Sequence, residues 1–176
     1  MNLSPRISLD LFTDSFTVRA HKIDNQPKSQ AILDNLTRLA NEFERVVDLT
    51  GGYAILHATD LINIKFYQER GTPFNIITCA YRSPAFNVLL PGAAKHSAHM
   101  DGRAIDFHPS SQWTHDAVQQ ALKVHPEIIT DRCLEERDTH GGHWLHFQIP
   151  VFGQKPARIF KDLEVTATGT LRVVSG

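Results

Sequence analysis

Cysteine is nearly missing from this chain: Cys79 and Cys133 are the only two in 176 residues. That excludes a small fold stapled by several disulfides. It leaves a single bridge as the alternative to two small buried thiols, which is the reading we favour. A charge of one sign is missing too. Lys plus Arg number 18 against 19 Asp plus Glu, for a net charge of −1. Such a chain projects no long-range field toward a phosphate backbone, so a dedicated nucleic-acid partner is disfavoured. No apolar run approaches the roughly 20 residues of a membrane span. Residues 1–15 lack the apolar core of a signal peptide, so no leader is expected. Synthesis and folding in a cytoplasm are expected, unless another protein or a virion carries the chain elsewhere. With 10 Gly and 9 Pro, neither a collagen-like nor a low-complexity reading survives. What is abundant is histidine, ten residues in all. Imidazoles titrate near physiological pH and are the commonest metal ligands.

The length fits one domain over residues 1–176. Leu9, Leu11, Phe12 and Phe16 predict a short helix lying on the core. Asp24 to Pro27 reads as a helix start, with Pro27 at the first helical position. From there to about Leu49 the apolar stripe Ile32, Leu33, Leu36, Leu39, Ala40, Phe43, Val46, Val47 has helical spacing, and Thr50-Gly51-Gly52 ends it. Ile62, Ile64 and Phe66 alternate with polar residues and read as a strand, with a helix as the alternative. Phe74–Cys79 and residues 103–108 read as strands, and Thr114–Val124 as a helix. Ile128–Glu136 and His143–Ile149 form a predicted hairpin around Arg137–Gly142. A last strand pair is expected around Leu163–Ala167 and Leu171–Val174. Helices come early and hairpins late, so the expected class is α+β, a small antiparallel sheet backed by the helix from Pro27.

Three stretches carry candidate chemistry. In the first, His99 and Asp106 flank Gly102, and Asp106 lies between Ile105 and Phe107. A carboxylate in an apolar strand is costly unless paired or bound to a metal. In the second, His140, His143 and His146 fall within seven residues of one another. Strand alternation puts His143 and His146 on opposite faces, so His140 and His143 read as solvated turn residues. For His146 a core role and a ligand role are equally supported. Together, His99, Asp106 and His146 would make a His₂Asp set with one open position, the arrangement of a catalytic zinc. Arg82, at a strand end opening into a loop, could clamp a carboxylate or stabilise an oxyanion, or merely cap the surface.

Tyr81-Arg82-Ser83-Pro84, then Lys95 through Phe107 with Ser97, His99 and Asp106, then Trp144-Leu145-His146, resemble the zinc D-Ala-D-Ala peptidases. That family includes carboxypeptidases, L-alanyl-D-glutamate endopeptidases of phage endolysins, vancomycin-resistance dipeptidases and, more distantly, the hedgehog signalling domain. The early stretch Ile23–Pro27 and its long helix are similar to the short phage members. The resemblance covers about residues 9–150, leaving 151–176 as a C-terminal extension.

The resemblance implies one zinc ion per chain held by His99, Asp106 and His146, with Arg82 stabilising charge on the scissile carbonyl and Ser97 lining the substrate cleft. It implies a substrate of the peptidoglycan stem-peptide class, containing D-amino acids. In the dipeptidase branch the general base lies three residues before the last histidine, where this chain has His143. In the short phage branch the base comes from the preceding strand, and Asp131 to Glu136 fits that pattern with Glu136 as the base. Glu135, one residue away, would face the other side of a strand. A non-catalytic zinc-holding domain on the same fold is the alternative function.

Overall fold

The computed structural model describes residues 1–110, 112–138, 141–165 and 171–173, with side chains described as far as Lys161. Two short helices, α1 (Leu9–Thr13) and α2 (Phe16–His21), come first, each opened by a serine hydroxyl that accepts a backbone N–H of its first turn. Phe12 is buried, but Phe16 is exposed to 58%, contrary to the expectation that both lie on the core. α3 runs over Gln30–Leu49. It starts three residues after Pro27 because Ser29 is the cap: its Oγ accepts the Ile32 N–H at 3.3 Å.

The strand β1 (Ala54–His57) follows, then α4 (Leu61–Glu69), where alternation had pointed to a strand. Asp60 decides the matter. Its side chain accepts the Asn63 N–H and caps a helix whose Leu61 and Ile62 stay exposed. β2 (Phe74–Cys79), the short α5 (Pro84–Asn87), β3 (Ala104–His108), α6 (His115–Val124), β4 (Arg132–Arg137) and β5 (His143–Gln148) come next, then β6 (Ile159–Val165) and β7 (Leu171–Val173). The reading of His140 as a turn residue falls outside the described residues, as do Ala167 and Val174 of the expected last strand pair.

All seven of these strands join one sheet, in the order β1-β2-β3-β5-β4-β6-β7. The α+β class stands, but the sheet is mixed: β1 lies parallel to β2 and β4 parallel to β6, and the remaining pairs are antiparallel. β6 shows that the stretch after Pro150 extends the sheet. α3 backs the central strands, with Phe43 edge-on to Phe107 at 4.9 Å between ring centroids and 6.5 Å from Phe147. Leu36, Leu39, Phe43 and Val46 meet Ile105, Phe107, Leu145 and Phe147 in a core from which water is excluded. Each such large apolar side chain contributes about 1.5–3 kcal/mol. Over the central strands one face of the sheet is thereby occupied, and the polar residues alternating with this set there face the other way.

His57 ties the amino-terminal helices to the sheet edge. Its Nδ1 accepts the Thr59 N–H at 3.1 Å, and the Thr59 hydroxyl donates to Asp14 at 2.8 Å. Burial lowers the His57 pKa below its ordinary 6.5, against the pull of Asp14. The unfolded chain therefore takes up the proton first as pH falls, so this part of the stability is present above about pH 6.5 and lost below it. In chelator-treated protein, melting temperature should drop between about pH 7.5 and 5.5. His57→Leu should be less stable throughout but show a shallower drop; an unchanged slope would clear His57 of the effect.

Candidate metal centre

The face of the sheet turned away from α3 carries a row of paired residues. Cys79 lies opposite Asp106, Asp106 opposite His146, and His146 opposite Leu134. One step along the hairpin, Glu136 lies opposite Trp144 on the same face. The β4–β5 register thus sets Glu136 beside His146. Glu135, opposite Leu145, and His143, opposite Arg137, point to the other side.

His99 arrives from the loop between α5 and β3. Its carbonyl accepts the Arg82 N–H at 3.2 Å, and the Ala98 carbonyl accepts the Arg103 N–H at 2.9 Å. Gly102 has φ of +70°, and a Cβ there would stand 2.9 Å from Leu36 Cγ and 3.0 Å from the Ile32 carbonyl. Only glycine lets this loop lie so close to α3 in that conformation. Ser97 serves the same loop, its hydroxyl accepting the His99 N–H at 3.3 Å.

Three donor atoms converge. His99 Nε2 is 3.3 Å from Asp106 Oδ1 and 3.3 Å from His146 Nδ1, and His146 Nδ1 is 2.9 Å from Asp106 Oδ1. Ligands about 2.0–2.1 Å from a zinc ion at tetrahedral angles stand about 3.3–3.4 Å apart, so the triangle has nearly the right size already. His99 Nδ1 donates to the Ala80 carbonyl at 2.6 Å, which turns the Nε2 lone pair into the triangle. Two imidazole nitrogens and a carboxylate oxygen suit a borderline divalent cation, and the residues fit zinc.

Charge is arranged to match. Burial alone would raise the Asp106 pKa, but His99, His146 and Arg82 hold it well below the ordinary carboxylate value. Burial, with Arg82 nearby, pushes His99 down to about 4, keeping its lone pair free. Arg82 Nη2 donates to Asp106 Oδ2 at 2.7 Å and its Nε to Cys79 Sγ at 3.1 Å. The guanidinium thus orients the carboxylate whose other oxygen belongs to the triangle.

Glu136 adds the remaining carboxylate. One of its oxygens, with one of Asp106 and a His146 ring nitrogen, forms a group whose members lie within 4.8 Å of one another. The Trp144 indole N–H donates to Oε2 at 3.1 Å and fixes the side chain. Burial first, and Asp106 second, raise the Glu136 pKa against the pull of His146 and Trp144.

Sequence reading missed three participants. Cys79 Sγ lies within 4.8 Å of His99 and Asp106 donor atoms, but burial raises its pKa and keeps it a thiol. Its place beside Asp106 depends on a register shift between Ile77 and Cys79 that no pattern reveals. The Ala80 carbonyl and the Trp144 indole act through partners distant in sequence or visible only once strands pair.

A family model described as Peptidase M15 matches residues 64–140, a stretch holding Arg82, Ser97, His99, Asp106 and Glu136 but ending before His146. No curated protein and no solved structure matches the chain. Among the described residues, no helix is long and apolar enough to cross a membrane. The match spans less than half of the chain; joined to a cluster of side chains able to hold a metal ion, it is a likeness to the Peptidase M15 family.

Proposed function

We propose that the chain is a zinc peptidase that hydrolyses peptide bonds containing D-amino acids in peptidoglycan stem peptides, acting as a phage or prophage lysin, free or built into a virion. The observation that carries the enzyme reading is Glu136, held by Trp144 on the same face as the His99–Asp106–His146 triangle. A zinc-holding binding domain would need the triangle but has no use for a carboxylate fixed beside it.

Zinc bound at the triangle would polarise the scissile carbonyl and lower the pKa of water toward about 7. Glu136 would then accept a proton from the attacking water and hand it to the leaving amine, a role its place beside His146 allows. Arg82 holds Asp106 and keeps positive charge next to the developing oxyanion. Ser97 shapes the loop that borders the cleft. The near-zero net charge argues against a nucleic-acid partner.

The test is zinc analysis of the purified chain together with digestion of peptidoglycan, the released ends identified by mass spectrometry. New amino termini beside D-residues, formed only with zinc present, support the proposal. Loaded protein that leaves the wall intact would overturn it. Arg82→Lys should keep a positive charge but lose the fork that holds both Asp106 and Cys79, weakening zinc affinity about 10–100-fold. Competition with a chromophoric chelator measures this, and unchanged affinity would deny Arg82 its orienting part.

A further inference from the structure

On the opposite face of the sheet, a second set of metal-capable side chains gathers where α6 crosses the β4–β5 hairpin. It plays no part in the chemistry proposed above. His115 opens α6, Glu135 comes from β4 and His143 from β5. His115 Nδ1 and His143 Nδ1 each stand 3.5 Å from Glu135 Oε1. One ligand atom from each of the three lies within 4.8 Å of the others. The two imidazole rings are tilted by 60° with centroids 4.6 Å apart, and His108, at the end of β3, stacks on His115 at 6.2 Å.

A separation of 3.5 Å is long for a strong charge-assisted hydrogen bond. It is close to the ~3.3–3.4 Å edge of a tetrahedral zinc site. Burial lowers the His115 pKa from its ordinary value, against the pull of Glu135. Glu135 is ionised: burial would raise it, but His115 and Arg137 hold it below its ordinary value. The three side chains line a cleft of about 360 Å³ with His108, Trp113 and Asp116. His115 and Glu135 are buried to about nine-tenths, and His143 is 58% exposed at the mouth. One group competes. Arg137 meets the same Glu135 oxygen through Nη2 at 2.9 Å and Nε at 3.1 Å, but its side chain is half exposed and can swing into solvent.

We propose that His115, Glu135 and His143 form a second site for a borderline divalent cation of the zinc class, clipping α6 to the β4–β5 hairpin with one position open to solvent. Three protein ligands from three elements would stabilise the folded chain, because the unfolded chain does not present them together.

The full chain, freed of metal with a chelator, should take up about two equivalents of Zn²⁺ in a calorimetric titration, against the one expected from the triangle alone. His143→Ala, at the exposed ligand, and Glu135→Gln should each bring uptake to about one equivalent while peptidase activity and circular dichroism stay those of the parent. If a variant fails to fold, imidazole ¹⁵N NMR of the parent decides: the second equivalent should shift His115 and His143 Nδ1. The converse arm uses His99→Ala, which should retain about one equivalent bound at the second site. That arm keeps failure of this proposal separate from failure of the triangle. Uptake of one equivalent in the parent, unaltered by His143→Ala, would overturn the second site.

Discussion

Glu136→Gln should leave fold and zinc content as in the parent and lower the peptidase rate by at least about two orders of magnitude, the low end for loss of a general base. The substitution is nearly isosteric. The amide oxygen can still accept the Trp144 N–H that the carboxylate accepts now at 3.1 Å. What is lost is the ability to take a proton. Glu135→Gln and His143→Ala should remain within a few fold of the parent, since register turns both toward α6. Rates on a defined stem peptide, normalised to bound zinc, measure the effect. An active Glu136→Gln beside an inactive His143→Ala would make the imidazole the base and would require a distorted β5 in solution.

That assignment also marks how far the sequence could be read. The long apolar stripe from Ile32 to Val47 specified α3, because a helix of that length that buries one face has only one periodicity. The strands at 74–79 and 104–108 were legible for a similar reason: short, apolar runs bounded by turn residues. The region 61–69 was not. Its alternation was real, but Leu61 and Ile62 face solvent, so no core enforced a strand and the Asp60 cap prevailed. Strand pairing was beyond reach altogether. Whether Glu135 or Glu136 faces His146 depends on the turn between β4 and β5, and a slip of one residue exchanges the two. The parallel edges β1–β2 and β4–β6 were hidden for the same reason: their partners are joined by long crossovers. The second histidine cluster went unread because His115 and His143 looked like an ordinary helix start and an ordinary turn. Only packing of α6 on β4 brings them to one carboxylate.

Asp106→Ala should abolish zinc binding at the triangle and, more than the other ligand changes, destabilise the metal-free fold. Asp106 is 4% exposed and has two tasks. Oδ1 stands 3.3 Å from His99 Nε2 and 2.9 Å from His146 Nδ1, so it closes the ligand triangle. Oδ2 accepts from Arg82 at 2.7 Å and supplies the charge that makes a buried guanidinium tolerable. Removing a charged partner from a buried pair costs about 3–5 kcal/mol, because the survivor is left uncompensated. His99→Ala removes a ligand of the triangle but leaves the Asp106–Arg82 pair intact. It should therefore lose zinc from the triangle with a smaller fall in the denaturant midpoint of the chelated protein. Asp106→Asn separates the two tasks further: the amide fills the same space and still accepts from Arg82, but brings no negative charge to either side. It should lose the triangle zinc and recover only part of the stability. Zinc stoichiometry and urea unfolding of the three chelated variants measure both effects. Full zinc uptake by Asp106→Ala would remove the triangle as a metal site. Equal destabilisation by Asp106→Ala and His99→Ala would mean that Arg82 does not depend on Asp106.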